Sequence, residues 1–257
     1  MRAVITLTTD FGLTDPFVGI MKGVILNLLP NAHVIDITHA IEPQNIRQAA
    51  LVLESAHSYF PKNTVHLVVV DPGVGSARRS IAVKTKSAVF VGPDNGVLTP
   101  VIDSASKVYE LTKSNYFLKS PSSTFHGRDV FAPAVAWIAK GTPLSKMGRK
   151  ISDPHILEFP QPKVHENTIT GEIIYIDRFG NCISNISGEC LRALKTESMT
   201  LRIGNRRIHG VASHYSQLKS KEIGCLINSW DRLEVFCRDD NAQNKLKCRV
   251  GTIIKIK

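Results

Sequence analysis

Long apolar runs, clustered charge and abundant aromatic residues are all missing from this sequence of 257 residues. A helix needs about 20 apolar residues to cross a bilayer, and no segment reaches that length, so we expect no membrane association. Basic residues exceed acidic ones by 17 to 12 in residues 1–163 and by 15 to 10 in residues 164–257. Nucleic-acid binding proteins cluster their basic charge and often stack bases on aromatic rings. An evenly spread charge with 7% aromatic residues therefore argues against a nucleic-acid partner.

Paired cysteines are missing as well. The five cysteines all fall in the last third of the chain: Cys182, Cys190, Cys225, Cys237 and Cys248. Their odd number, the lack of any C-x-x-C pair and the lack of a signal peptide argue against a secreted disulfide scaffold and against a zinc site. Internal repeats, the dinucleotide-binding G-x-G-x-x-G and the P-loop are also absent. We expect a cytoplasmic protein with reduced thiols.

The pattern that is present predicts two domains. Apolar strands at 3–9, 33–37, 64–70, 80–84 and 88–91 alternate with helices at 16–28, 45–58 and 130–140, which predicts an α/β domain with a mainly parallel sheet flanked by helices. Residues 157–165, with two prolines, have the composition of a linker. Short alternating segments follow, and they are typical of a small antiparallel β-barrel or sandwich. The predicted domains are residues 1–160 and 166–257.

The motif Asp71-Pro72-Gly73-Val74-Gly75 follows an apolar strand and is followed by Arg78. Ligands of open α/β sheets bind beyond the carboxyl ends of the strands, where Asp71 is placed. The short loop would let Arg78 fold back onto that carboxylate. Asp10 ends the first strand in the same manner. When each aspartate is taken alone, a plain turn or helix cap is the favoured explanation.

Three further polar motifs stand in loops. His126, in Phe125-His-Gly-Arg-Asp129, precedes a helix, where the positive end of the helix dipole favours a neutral imidazole. Asp177-Arg-Phe-Gly-Asn181 and Asn228-Ser229-Trp230 are polar turns in the second domain. Each of the three, by itself, is also typical of ordinary loops and turns.

Together and in this order, these motifs, with Thr9-Asp-Phe-Gly12 and Gly92-Pro-Asp-Asn-Gly96, resemble those of the S-adenosyl-L-methionine (SAM) hydroxide adenosyltransferases. This family of adenosine-forming SAM hydrolases is related to fluorinase and chlorinase. The resemblance covers nearly the whole chain. It implies an α/β N-terminal domain, a β-barrel C-terminal domain, and a reaction in which SAM and water give adenosine and L-methionine.

The resemblance also implies roles for eight residues. Asp71, Arg78 and His126 match the catalytic set, and the choice of Arg78 over its neighbour Arg79 rests on motif register alone. The matches to substrate-binding residues are Asp10 for the ribose hydroxyls, Asp177 for the methionine ammonium, Asn181 for adenine, and Ser229 and Glu234 in the segment that closes over the ligand. The family is implied to form homotrimers whose sites lie between subunits.

The chemistry of the sulfonium narrows the requirements further. The thioether leaves as a neutral group, so we expect neither a metal nor a cofactor, and a positioned water is the main need. Asp71 is the natural proton acceptor, because arginine keeps its proton. His126 is left with two roles, either accepting the proton or orienting the water.

Two departures from the family pattern and two other functions stay open. Halogenating relatives carry an arginine for the methionine carboxylate where this chain has Trp230, and the chain after Glu234 lacks the usual small turn at the adenine end. A halogenase of the same superfamily is one alternative, although halogenases lack the Asp–Arg–His set. A SAM or adenosine sensor, or an RNA-binding module, is the other.

Overall fold

The computed structural model describes residues 3–194 and 199–257. The chain divides into two compact units, one ending at Leu157 and the other beginning at Glu158. This division falls at the start of the segment in which the sequence indicated a linker. Each unit has its own hydrophobic core.

The first unit is built on a seven-stranded sheet in the order β2-β1-β3-β5-β4-β6-β7. The strands are β1 (Val4–Thr9), β2 (His33–Thr38), β3 (Val65–Val69), β4 (Ser80–Lys84), β5 (Val89–Pro93), β6 (Lys107–Leu111) and β7 (Gly148–Ile151). Strands β2, β1, β3 and β5 are parallel neighbours, whereas β4 and β7 run antiparallel to the strands beside them. The prediction of a mainly parallel sheet is confirmed. Strands β6 and β7 were not predicted, because charged, partly exposed side chains interrupt the apolar pattern of both.

Helices cover this sheet and fill the core of the first unit. They are α1 (Phe17–Leu28), α2 (Ile46–Ala56), α3 (Ala132–Ala139) and α4 (Leu144–Met147). The Asn45 side chain accepts a hydrogen bond from the backbone N–H of Gln48 and so caps α2. Helix α3 packs against α1 and β3 and buries nearly all of its side chains. One π-helical turn, Gly127–Phe131, precedes α3, so the helix predicted from residue 130 begins with irregular geometry. Such turns are frequent at functional sites.

The second unit is an antiparallel sheet in the order β12-β11-β15-β9-β10-β14-β13, with β8 paired to β9. Its elements are β8 (Lys163–His165), β9 (Thr168–Ile176), β10 (Cys182–Ser187), α5 (Gly188–Arg192), β11 (Thr200–Ile203), β12 (Arg206–His209), β13 (Ile223–Ile227), β14 (Arg232–Cys237), α6 (Ala242–Leu246) and β15 (Ile253–Ile256). A bridge between Ala212 and Leu226 brings the two ends of the sheet together, so it nearly closes into a barrel, as predicted.

Two strands of this unit differ from the sequence-based expectation. Strand β8 lies within the segment 157–165 that was predicted as a linker, and it pairs with β9 from Lys163 onward. Pro160 and Pro162 have no N–H to donate, so a ladder forms only after them. Strand β10 was not predicted, because buried polar residues such as Ser184 and Asn185 interrupt its apolar pattern. No helix in the described part of the chain has the length and apolar character needed to cross a bilayer.

Candidate active site

Asp71, Arg78 and His126 form one hydrogen-bonded cluster. Asp71 stands just beyond β3, and the guanidinium of Arg78 grips its carboxylate with two bonds, Nε to Oδ1 at 2.9 Å and Nη2 to Oδ2 at 2.5 Å. The same Nη2 lies 2.7 Å from Nδ1 of His126. The side chains of Asp71 and Arg78 are only 5% and 10% exposed. Two loops far apart in sequence are therefore joined by a single guanidinium.

The loop between Asp71 and Arg78 depends on Gly75. Gly75 has a φ of +79°, in the left-handed region where residues with a side chain are disfavoured. A Cβ at this position would overlap the backbone carbonyl oxygen of Ser123. The 71–78 loop therefore packs directly on the backbone of the segment that leads to His126. This close approach lets Arg78 reach both Asp71 and His126.

The surroundings of His126 favour a neutral imidazole and one of its two tautomers. Burial lowers the pKa of His126 below its ordinary value, and the positive charge of Arg78 lowers it further. A guanidinium can only donate, so Nδ1 of His126 is the acceptor of the 2.7 Å bond from Arg78. The proton of the neutral ring is then on Nε2. Burial and the charge of Arg78 thus both favour the neutral ring that was expected from the sequence.

Arg79 belongs to a different ion-pair group. Its Nε lies 2.7 Å from Oδ2 of Asp94, and its Nη1 lies 2.9 Å from Oδ1 of Asp153. Arg78 instead bonds to Asp71, His126 and the Ser80 hydroxyl. Two adjacent arginines, which the sequence distinguishes only by motif register, thus face different carboxylates.

A cavity of about 480 Å³ opens beside Asp71 and His126. Three phenylalanines form an apolar part of its wall, with ring centroids 5.3 to 5.9 Å apart in edge-to-face contact: Phe11, Phe17 and Phe125. Arg128 also lines the cavity. Its guanidinium lies 5.2 Å from the centre of the Phe125 ring and pairs with the buried carboxylate of Asp129. The cluster therefore faces a space with both an aromatic wall and a cation.

Asp10 lies beyond the end of β1 and is not among the residues that line this cavity. Its Oδ2 accepts a 2.8 Å hydrogen bond from the backbone N–H of Gln44. Gln44 has a φ of +67°, so the Asp10 carboxylate helps to hold an unfavourable backbone conformation. The alternative considered from the sequence, a turn-stabilising role, is thus seen directly for one carboxylate oxygen.

In the second unit, Asp177 and Asn181 form one tight turn. Oδ1 of Asp177 accepts from the backbone N–H groups of Phe179 and Asn181 at 2.9 and 2.8 Å, and Oδ2 accepts from Nδ2 of Asn181 at 2.9 Å. Gly180 has a φ of +82°, and a Cβ there would overlap the side chain of Asn241. The geometry of the turn by itself therefore accounts for Asp177, Gly180 and Asn181 of this motif.

Glu234 is 3% exposed and fully engaged inside the second unit. Its Oε1 accepts from the Tyr215 hydroxyl at 2.8 Å, and its Oε2 accepts from Nδ2 of Asn228 at 3.0 Å. Burial raises the pKa of the Glu234 carboxyl, and the nearby charge of Asp177 acts in the same direction. Burial and the bond to Glu234 also raise the pKa of Tyr215. Glu234 thus organises the wall around it.

Two cavities of the second unit share Asp177 and Tyr215. The larger, about 620 Å³, is lined by Asn181, Phe179 and Arg238 among others, and the smaller, about 390 Å³, by Ser229, Glu234 and His214 among others. Four residues of these linings were not predicted from the sequence: Phe179, Tyr215, His214 and Arg238. Phe179 lies inside a motif that was singled out, whereas the segment around Tyr215 carries no motif that could have identified it.

Metal-binding geometry is absent from the described residues. No group of three or more His, Cys, Asp or Glu side chains in 3–194 and 199–257 is arranged to hold an ion. The polar groups described above are instead arranged as hydrogen-bond donors and acceptors around cavities.

Comparisons with known proteins agree with each other. Residues 5–148 match the model of the SAM hydroxide adenosyltransferase N-terminal domain, and residues 171–255 match that of the C-terminal domain. An (R)-S-adenosyl-L-methionine hydrolase from Methanocaldococcus jannaschii is 38% identical over 95% of this chain and 91% of its own length. One from Salinispora arenicola is 40% identical over 79% of this chain and 78% of its own.

More distant and structural similarities extend this result. A fluorinase from an Actinoplanes species is 30% identical over 71% of each chain. The crystal structure of a conserved protein from Thermotoga maritima superposes with a TM-score of 0.93, at 37% identity, over 98% of this chain and 99% of that one. Similarity in structure therefore extends over nearly the whole chain, as does the sequence similarity to the hydrolase from Methanocaldococcus jannaschii.

Proposed function

The chain belongs to the SAM hydroxide adenosyltransferase family, and on this premise we propose that it hydrolyses SAM by attack of water at C5′, giving adenosine and L-methionine. The observation that carries the proposal is the Asp71–Arg78–His126 cluster beside an aromatic cavity. The fluorinase relative is more distant than the hydrolases. We therefore place water, and not a halide, as the nucleophile.

We assign proton acceptance to Asp71. The fork of Arg78 occupies one lone pair on each carboxylate oxygen, and a carboxylate offers about four acceptor sites. Lone pairs are therefore left for the attacking water. The fork also fixes the plane of the carboxylate, and orienting the acceptor and the water contributes through proximity. Nη1 of Arg78 donates to the hydroxyl of Ser80 at 3.0 Å, which restrains the rotation of the guanidinium.

We assign water positioning to His126. Its Nδ1 lone pair is taken by Arg78, and its Nε2 carries a proton, so the neutral ring presents a donor and no free acceptor. Such a ring can hold the oxygen of a water but cannot remove its proton. Of the two roles that the sequence left open for His126, this geometry supports orientation of the water.

The aromatic wall supports attack on a sulfonium. The rings of Phe11, Phe17 and Phe125 exclude water from one side of the cavity, which strengthens fixed electrostatic interactions. Aromatic faces also attract cationic ligands. Because the departing thioether is neutral, the reaction as proposed uses no metal and no cofactor. SAM is the substrate, and no nucleic acid is involved.

We assign the two ends of SAM to the two cavities that share Asp177. Asn181 in the larger cavity is assigned to adenine, and Asp177, at the junction, to the methionine ammonium. Ser229 and Glu234 belong to the methionine side, with Glu234 acting through Tyr215 and Asn228. Asp10 is assigned to the ribose hydroxyls through the oxygen that Gln44 leaves free.

We further infer a homotrimer in which one subunit's first unit and a neighbour's second unit complete each site. The candidate residues fall into two sets of four, one set per unit. Pockets at interfaces readily bury most of a small ligand, and closed threefold symmetry would give three equivalent sites. The family resemblance supports the same assembly.

Subunit complementation tests this assembly. Asp71→Asn subunits and Asp177→Ala subunits are each expected to be inactive. When the two are mixed under conditions that exchange chains, a shared site predicts recovered activity, because some interfaces then combine two wild-type halves. No recovery despite proven exchange, or a monomer by light scattering, would contradict the assembly.

We place the enzyme in the cytoplasm, on the basis of its cysteine pattern. The number of cysteines is odd and none form a C-x-x-C pair. Unpaired cysteines of this kind are typical of reducing compartments.

The proposed reaction is tested by incubating the pure protein with SAM in ¹⁸O-labelled water, with and without chloride or fluoride. Attack of water at C5′ predicts adenosine labelled at its 5′-oxygen, in equal yield with and without halide. A 5′-halogenated nucleoside would identify a halogenase. Stoichiometric binding of SAM without any product would identify a sensor.

A further inference from the structure

The residues assigned so far include no partner for the carboxylate at the methionine end of SAM. An ammonium and a carboxylate stand on the same carbon, so the group that receives the carboxylate lies close to the one that receives the ammonium. In the smaller cavity the acidic side chains are Asp177 and Glu234. A substrate carboxylate beside them meets like charge unless a positively charged or donating group is also present.

We propose that His214 receives the carboxylate of the methionine end of SAM; this proposal rests on the proposed function. His214 and Asp177 line the same cavity of about 390 Å³. Among the described residues that line it, His214 is the only side chain able to carry a positive charge. The cavity therefore combines a carboxylate that suits the ammonium, Asp177, with a side chain that can offer a carboxylate both a hydrogen bond and a positive charge, His214.

A hydrogen bond with the Ser216 hydroxyl orients the ring of His214. Oγ of Ser216 lies 3.0 Å from its Nδ1, and a hydroxyl can serve this nitrogen in either protonation state. Within the described part of the chain no hydrogen bond to Nε2 is found. When the Ser216 hydroxyl donates to Nδ1, the proton of a neutral ring is on Nε2, and a charged ring donates there as well.

Other hydroxyls in the same wall are already used as donors. Ser213 donates to Oε1 of Gln217 at 3.2 Å, and Tyr215 donates to Glu234 at 2.8 Å. The ring of Trp230, whose centroid lies 5.3 Å from that of Tyr175, carries no charge. His214 and the hydroxyl of Ser229 are thus the groups on this wall that suit a carboxylate.

The consequence is substrate selectivity. A site that pairs a donor with the carboxylate rejects an analogue lacking this group, because its polar atoms then lose their partner. We therefore expect the enzyme to prefer SAM over decarboxylated SAM, the sulfonium amine that keeps the ammonium and the nucleoside. The preference is expected to depend on His214.

The test measures equilibrium binding of SAM and of decarboxylated SAM by calorimetry, in Asp71→Asn protein so that turnover does not consume the ligand. Adding His214→Ala is expected to raise the Kd for SAM about ten- to a hundred-fold, the usual effect of losing a charge-assisted hydrogen bond. The Kd for decarboxylated SAM is expected to change by less than about twofold, because that ligand has no carboxylate to lose.

His214→Lys, which keeps the charge, is expected to retain the preference for SAM. His209→Ala, at an exposed histidine that does not line the cavity, is the matched control and is expected to change neither Kd.

Equal weakening of both ligands by His214→Ala, or no weakening of SAM, overturns the assignment of His214. Turnover of SAM by the wild-type protein is measured in parallel. If SAM binds and no adenosine forms, the hydrolase function is wrong, while the binding comparison still decides the role of His214. If His214→Ala does not fold, the His214→Gln variant replaces it in the same comparison.

Discussion

Nη2 of Arg78 donates to Nδ1 of His126 across 2.7 Å, and the same nitrogen lies 2.5 Å from Oδ2 of Asp71. One guanidinium thus sets both the orientation of a carboxylate and the tautomer of an imidazole. Asp71 is left with free acceptor sites and His126 with a free donor. This division of roles has consequences that can be measured.

The adjacent arginines provide a matched pair of variants. Arg78→Lys is expected to lower kcat about ten- to a hundred-fold, because lysine cannot reproduce a planar fork that reaches two partners. Arg79→Lys, which changes a similar fork on Asp94 and Asp153, is expected to leave kcat close to that of the wild type. Steady-state kinetics with SAM distinguish the two. Equal losses in both variants would mean that Arg78 acts only through stability.

The activity is expected to fall at acid pH as His126 gains a proton. A charged imidazole cannot accept from Arg78, so protonation breaks the 2.7 Å contact and places two cations side by side. Since burial and Arg78 lower the pKa of His126, the acid limb of kcat against pH is expected to have its midpoint below 6.5. His126→Asn, whose amide oxygen can still accept from Arg78, is expected to lose this limb. An unchanged limb in that variant would assign the titration to another group.

Asp177→Asn is expected to weaken SAM more than adenosine. The amide keeps an oxygen for the N–H groups of Phe179 and Asn181, and the side-chain amide of Asn181 can rotate to offer its oxygen to the new NH2 group. The turn is therefore retained while the negative charge is lost. Losing a charge-assisted hydrogen bond corresponds to about ten- to a hundred-fold in Kd for SAM. Adenosine has no ammonium and is expected to bind nearly as before. Comparable weakening of both ligands, measured by calorimetry, would move Asp177 to the nucleoside end.

His66 is expected to make stability pH-dependent independently of the active site. It is 1% exposed in β3, its Nδ1 lies 2.8 Å from Oγ1 of Thr6, and burial lowers the pKa of His66 to about 4. The unfolded chain takes up this proton near pH 6.5, before the folded chain does, so the free energy of unfolding falls as pH drops from about 6.5 to 4. The full loss is about 3 kcal/mol, at 1.36 kcal/mol for each pH unit between the two pKa values.

Chemical denaturation at a series of pH values measures this loss. His66→Gln keeps an acceptor for Thr6 but does not titrate, so its stability is expected to fall less over the same range. His165→Gln, at an exposed position in β8, is the control and is expected to follow the wild type. A His66→Gln protein with the wild-type slope would show that other groups cause the acid sensitivity.

Much of the fold, and the family to which the chain belongs, could be predicted from the sequence. Apolar strands that alternate with helices predicted the parallel part of the first sheet, because residues buried on both faces leave a continuous apolar pattern. Glycines mark the turns: Gly75 and Gly180 adopt positive φ against Ser123 and Asn241, which only a residue without Cβ permits. The order of the polar motifs was sufficient to identify the family.

The tertiary structure decided what depends on contacts between distant residues. It showed that Arg78 and Arg79 bond to different partners, and it indicated which nitrogen of His126 carries the proton. It also revealed strand β10, in which the buried hydroxyl of Ser184 donates to the carbonyl oxygen of Leu233, a partner that the sequence cannot show. The structure also placed Tyr215 and His214 in the lining of the smaller cavity, although neither residue belongs to a recognisable sequence motif. Local sequence specifies backbone propensity and apolar periodicity, whereas a hydrogen bond between residues 48 positions apart, such as that from Arg78 to His126, exists only after both loops are packed.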